Sequence, residues 1–286
     1  MSATPAYRTL ATGLGFPEGP VFVDGQVLFT EIRGQRVARW RDGDVATIAR
    51  TGGGANGLAR DRDGALYVAN NGGLNVGPEG YWHAPDAFSG RIQAIAVDGT
   101  LSDLVADFSA DTPRPNDICI GPDGLLYFTD PRNWDDLANL KPGRLWRCAR
   151  DGSGLEQLAE IEGFCNGIAF RGDELFVARS IGMDVMAFPW SASGVGDPRT
   201  HARLEGGFPD GMSFARDGSL YVCGSMGHVI GVFDPDGAER ARIECPNDSE
   251  PTNCCIGDDG VLYVTFSGVG ELVAFDLEVE ALPLFD

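Results

Sequence analysis

The sequence predicts an all-β fold, a six-bladed β-propeller with four-stranded blades around a central channel. Two observations predict it: a turn-and-strand signal that recurs six times, and a glycine content far above the norm. Glycine accounts for 40 of 286 residues, roughly twice its usual ~7%. With 17 prolines beside them, these glycines mark a chain that turns often and carries little helix.

The repeat can be followed in order. Asp24-Gly25 precedes Val27-Leu28-Phe29, Asp63-Gly64 precedes Leu66-Tyr67-Val68, and Asp123-Gly124 precedes Leu126-Tyr127-Phe128. Gly172-Asp173, Asp217-Gly218 and Asp259-Gly260 then precede Leu175-Phe176-Val177, Leu220-Tyr221-Val222 and Leu262-Tyr263-Val264. Asp-Gly suits tight hairpins, and Tyr, Phe and Val suit pleated strands. A second hairpin follows in most units, ending at Asp42-Gly43, Asp98-Gly99, Asp151-Gly152 and Asp236-Gly237. Each unit is therefore about four strands in ~48 residues, the length of a propeller blade. One such meander cannot bury both its faces, so the units must pack around an axis. The expectation is one domain spanning residues 1–286.

Closure of the ring falls to Tyr7–Leu14 as the outermost strand of the last blade, with Ala281–Phe285 competing for that place. Between the second and third units, Asn70–Gly90 forms an insertion containing Tyr81, Trp82, His83 and Phe88, long enough to serve as a functional loop or lid. Tyr81 and Trp82 either stack on a bound ligand or seal the insertion against its blade.

Charge and composition exclude several classes. Twenty-two basic against 42 acidic residues leave a net charge of −20, which repels nucleic-acid backbones and anionic membranes. Lys141 is the sole lysine and sits in a loop beside Pro142, which argues against Schiff-base chemistry. Met1–Leu14 lacks a basic segment followed by an apolar run, and no stretch approaches ~20 apolar residues, so a cytoplasmic location is expected. The seven cysteines form no C-x-x-C pair and read as reduced, mostly buried thiols rather than a zinc or disulfide framework. Gly52–Gly57 matches G-x-G-x-x-G but is followed by a turn instead of a helix, so it reads as a turn. No G-x-S-x-G or H-E-x-x-H occurs. Of the three histidines, His83 lies in the insertion, while His201 and His228 read as surface or strand positions.

The chemistry appears six or seven residues before each turn, where a blade begins. Those positions hold Glu18, Asn56, Asn116, Asn166, Asp210 and Asn253. In a propeller the innermost strands line the channel, so equivalent positions should converge near the axis. Carboxylates gathered there repel one another and resist desolvation unless a cation compensates. Two carboxylates with amide oxygens and no Cys or His make a hard, all-oxygen donor set of the kind that suits Ca²⁺ or Mg²⁺, and the irregular spacing favours the more tolerant Ca²⁺. Asn56 and Asn253 are assigned ordinary turn roles.

Pro17-Glu18-Gly19-Pro20, Arg114-Pro115-Asn116-Asp117, Cys165-Asn166-Gly167, Pro209-Asp210-Gly211-Met212 and Pro251-Thr252-Asn253-Cys254-Cys255 together span nearly the whole chain. As a set they resemble the SMP-30/gluconolactonase/luciferin-regenerating-enzyme family of six-bladed propellers. The resemblance implies a divalent metal held by Glu18, Asn166 and Asp210, with Asn116 as a further ligand or substrate contact, Arg114 as a substrate-binding residue and Asp210 in the catalytic role. The implied reaction is metal-dependent opening of a sugar-type lactone by water, with Asp210 acting as base, as water-orienting group or as direct nucleophile. Two other functions stay open at this level. One is organophosphate or fluorophosphate hydrolysis on the same metal site; the other is a binding propeller without catalysis.

Overall fold

Asp24 and Gly25 both adopt positive φ, 48° and 71°, as do Asp42 and Gly43 at 50° and 87°, and this two-residue turn matches the natural twist of paired strands. At other hairpins the aspartate does a second job. Tyr127 donates its hydroxyl hydrogen to Asp123 at 2.9 Å and Tyr263 to Asp259 at 2.7 Å, so the recurring tyrosine ties its strand back to the turn that starts it. The computed structural model describes residues 5–77, 80–108, 113–133, 135–283 and 285.

Six four-stranded antiparallel blades result, blade four carrying an added short strand at Gly194–Val195, beside one two-stranded sheet in the insertion. Their innermost strands are Pro17–Val23, Ala55–Arg60, Ile118–Ile120, Cys165–Arg171, Phe208–Phe214 and Pro251–Ile256. Among the described residues the single helical element is a 3₁₀ turn at Leu137–Asn139. The six-bladed propeller expected from the repeat is the observed fold. Apolar residues of facing sheets form the core between blades, as where Tyr221 and Ile230 of blade five meet Val264, Phe266 and Phe275 of blade six. The seven cysteines are free thiols.

Ring closure is made by the N-terminal strand. Tyr7–Ala11 pairs antiparallel with Glu271–Asp276, Tyr7 opposite Phe275, and completes blade six. The C-terminal segment does something else. Ala281 bridges to Ala215, Leu282 donates its amide to the Phe214 carbonyl, and Phe285 packs edge-on against Phe170. It thus crosses from blade five toward blade four, against the inner strands. A cavity of about 310 Å³ runs along these inner strands and reaches from Gly19, Asp117 and Asn253 down to Leu282, Pro283 and Phe285.

The insertion is also placed differently from the sequence expectation. It lies inside blade two, between strands Leu66–Asn70 and Arg91–Ile95, and not between the second and third units. The physical reason is strand pairing: Arg91–Ile95 pairs with Leu66–Asn70, Ile92 opposite Ala69, so the residues between them leave and rejoin the same sheet.

Candidate active site

Five of the six inner strands shift register where the polar ring residue sits: between Glu18 and Val21, Ala55 and Leu58, Cys165 and Ile168, Pro209 and Met212, and Pro251 and Asn253. A β-bulge inserts an unpaired residue and re-aims its side chain. The glycine that follows the ring residue allows the next blade to approach. A β-carbon on Gly211 would overlap the Asn253 amide, and one on Gly167 would overlap the Asp210 carbonyl. Hydroxyls on or just after second strands then stitch three blades to a neighbour's ring. Thr129 donates to the Asn166 carbonyl at 2.6 Å, Ser180 to the Pro209 carbonyl at 2.8 Å, and Ser267 to the Pro17 carbonyl at 2.6 Å. The ring positions are therefore fixed by backbone contacts, independent of the side chains they present.

The structure brings Glu18, Asn166 and Asp210 into one electrostatic neighbourhood. Glu18 is buried at 5% exposure and Asn166 at 7%, while Asp210 is partly open. Burial pushes the Asp210 carboxyl well above its ordinary value, and the neighbouring charges of Glu18 and Asp117 push it further. Burial and the charge of Asp117 raise Glu18 to about 8, against hydrogen bonds from the Gly19 amide, Asn253 and Thr252 that favour its ionised form. Asn166 donates Nδ2–H to Ser180 Oγ at 3.1 Å and also lies against Asp210.

Two members of the site escaped sequence reasoning. Asp117 is buried, accepts from the Ile118 amide at 2.9 Å and the Ile168 amide at 3.2 Å, and is raised to about 6, chiefly by burial. The signal for it was present: four ring residues are followed by glycine, and Asn116 is followed by a carboxylate in that place. Asn253, assigned a turn role, lies instead in the strand Pro251–Ile256 and hydrogen-bonds to both Glu18 and Asp117. Asn56 likewise lies in a strand, Ala55–Arg60. The Asn-Gly pair, ambiguous in sequence between turn and bulge, is a bulge here.

Asn116 is buried at 6% exposure and donates its amide to the Thr129 carbonyl. Arg114 is half-buried, and its backbone amide donates to Asp130 at 2.9 Å. Its Nη1 donates to the Asn71 carbonyl at 2.9 Å and reaches the Phe88 carbonyl at 3.5 Å, so the guanidinium is anchored at the base of the insertion. Gly52–Gly57 contains no helix: Gly52 and Gly53 take positive φ, and Asn70 braces the loop through Gly52 and Gly54.

The donor chemistry fits a hard divalent cation. Three carboxylates crowd together with raised proton affinity, and the side-chain amides of Asn166 and Asn253 and the Thr252 hydroxyl lie against them. Among the described residues no three His, Cys, Asp or Glu side chains close on a common point, so a cation there must draw on asparagine oxygens as well.

These shifts predict a pH dependence. A carboxyl whose folded pKa is raised keeps its proton after the unfolded chain has released it, so folded stability falls as pH rises. Without added cation, the contribution of Glu18 is undiminished below its unfolded value of 4.5 and declines until its folded value of about 8. Thermal unfolding in chelator should therefore show a midpoint that falls from pH 5 to pH 8 more steeply than in a Glu18→Gln variant. Equal slopes for the two proteins would contradict the assignment.

Taken together, these features define a six-bladed propeller whose axis carries a ring of carboxylates and amides. The chain belongs to the SMP-30/Gluconolactonase/LRE-like family, whose model matches residues 16–268. It is 26% identical to a gluconolactonase of Zymomonas mobilis over 286 aligned positions, covering 91% of this chain and 78% of that protein. It is 31% identical to an L-arabinolactonase of Azospirillum brasilense over 122 positions, 41% of this chain and 40% of that one. The solved structure of a gluconolactonase from Xanthomonas campestris superimposes with a TM-score of 0.77 at 25% identity, covering 96% of this chain and 89% of that one. No helix among the described residues is long and apolar enough to cross a membrane.

Proposed function

We propose that this protein is a hydrolase that opens sugar-type lactones by adding water across the ring ester, acting at the Glu18–Asn166–Asp210 ring as a single-domain enzyme of the cytoplasm. The observation that carries the reading is the crowding of Asp210 with Glu18 and Asp117, where loss of solvent and the two neighbouring charges raise its affinity for a proton. A scaffold gains nothing from such crowding; a hydrolytic site gains both a proton acceptor and a seat for a cation. Similarity to a gluconolactonase and an L-arabinolactonase supports the substrate class. Seven free thiols suit a reducing compartment.

Glu18, Asn166 and Asp210 would hold a divalent cation, Ca²⁺ by its tolerance of irregular donors, with Asn116 adding an oxygen or a substrate contact. Bound there, the cation supplies Lewis-acid polarisation of the lactone carbonyl. Arg114, fixed by Asn71 and Phe88, offers its remaining N–H groups to substrate oxygens as a preset fork. The Asp210 carboxylate takes a proton from water as the water oxygen bonds to the carbonyl carbon. The ring C–O bond then breaks, its oxygen recovers the proton from Asp210, and the open hydroxy acid leaves.

Proton release from a panel of aldonolactones and phosphotriesters, measured on chelator-treated and Ca²⁺-restored protein, tests this. Lactone hydrolysis should fall at least ~100-fold in chelator and return with Ca²⁺. Hydrolysis indifferent to chelator would refute the cation, turnover of phosphotriesters alone would refute the substrate class, and lactone binding without turnover would indicate a binding propeller.

A further inference from the structure

The insertion folds as a two-stranded hairpin, Leu74–Gly77 against Gly80–His83, with Leu74 opposite His83. It leaves blade two at the end of the ring where the inner strands begin, the end that carries Glu18, Asn166 and Asp210. Its contacts reach beyond its own blade, to the adjoining blade one and to blade four. Arg33, in the loop between the second and third strands of blade one, donates Nε–H to Asn75 at 3.0 Å. Leu74 is fully buried against Phe164, at the entrance to the inner strand of blade four. Blades one and four face each other across a ring of six, so an element that touches both reaches over the mouth.

Both anchorage points are unusual. Phe164 and Phe16 stand two residues before Asn166 and Glu18, and both hold φ near +60°, at 63° and 58°. Bulky residues seldom adopt that backbone, and such outliers concentrate at functional sites. Phe16 also faces Arg33, its ring centroid 5.5 Å from the guanidinium carbon, so the same arginine joins one phenylalanine to the hairpin. At the hairpin's base, Asn71 accepts from the amides of Gly73 and Leu74 while its own carbonyl accepts from Arg114. These bonds fix the hairpin at its base, where the Ala84 amide also donates to the Gly73 carbonyl at 2.8 Å.

We infer that Leu74 is a specificity-determining residue, packed on Phe164 so that the hairpin forms a fixed roof over the ring and limits the site to lactones of one sugar unit. This rests on the lactonase reading above. A lactone carrying a second sugar must place it where Leu74 and Phe164 meet. Removing the leucine side chain opens that passage, whereas Leu74→Met conserves its volume.

The test compares kcat/KM for a disaccharide-derived aldonolactone with that for a monosaccharide aldonolactone. In Leu74→Ala the ratio should rise at least about tenfold, and in Leu74→Met it should stay within about twofold of the parent. Phe164→Leu, which trims the other half of the contact, should shift the ratio the same way and serves if Leu74→Ala fails to fold. An unmoved ratio in folded protein overturns the inference. Access is also read without catalysis, by labelling an Asn116→Cys thiol with a small and a bulky methanethiosulfonate. Adding Leu74→Ala should raise the bulky-to-small rate ratio about tenfold. An unchanged labelling ratio overturns the roof itself, while a raised ratio beside a parent protein, Asn116 intact, that turns over no lactone sinks the lactonase reading and leaves the roof standing.

Discussion

Asp210→Asn is expected to lower kcat/KM for an aldonolactone by about 10³-fold, within the range that a positioned general base contributes. The amide keeps the shape of the carboxylate and loses its capacity to accept a proton. The same substitution should leave the cation-free protein as stable as the parent or more so. Asp210 sits among Glu18 and Asp117, and burial together with those two charges disfavours its ionised form, so neutralising it relieves repulsion. This pairing of effects separates a catalytic role from a structural one. Lactone hydrolysis at wild-type rate in Asp210→Asn would remove the residue from the mechanism, and a lowered unfolding midpoint in chelator would show that the carboxylate is a structural group.

Arg144→Met is expected to destabilise the fold by ~3–5 kcal/mol, because it strands the carboxylate of Asp130 in the interior. Asp130 is fully buried and Arg144 is 3% exposed. Arg144 Nε donates to Asp130 at 2.9 Å, and the same carboxylate accepts from the backbone amides of Arg114 and Arg132, at 2.9 and 3.0 Å. The pair therefore fixes the segment that leads from Arg114 to Asn116. Replacing both partners together, with Asp130→Asn in the Arg144→Met background, should recover part of the loss because no bare charge is left behind. Urea unfolding of the single and double variants measures this. A loss below about 1 kcal/mol for Arg144→Met would mean that water reaches Asp130 and that the pair is no anchor.

The fold was legible because blade formation is local. Asp24-Gly25 with Val27-Leu28-Phe29 encodes a hairpin within a few residues, and six such signals at blade spacing leave few other ways to bury their faces. The ring was legible in part for the same reason. An offset of six or seven residues from each turn marked Glu18, Asn166 and Asp210, whose charges and amides the structure gathers. Asp117 and Asn253 were less visible. Asp117 sits one position past the ring residue, where its direction depends on how the segment enters Ile118–Ile120, and Asn253 shares its residue type with ordinary turns.

The sequence by itself determined the blade count and the polar residue at the head of each blade, since each follows from turn chemistry and strand alternation over short stretches. Only the tertiary structure decided that Tyr7–Ala11 closes the ring while Ala281, Leu282, Pro283 and Phe285 lie along the inner strands, that Asp117 joins Glu18 and Asp210, and that Leu74 of blade two rests on Phe164 of blade four. Those contacts join residues far apart in the chain. They arise from blades packing around a common axis, and no local pattern carries the distance between one blade and another.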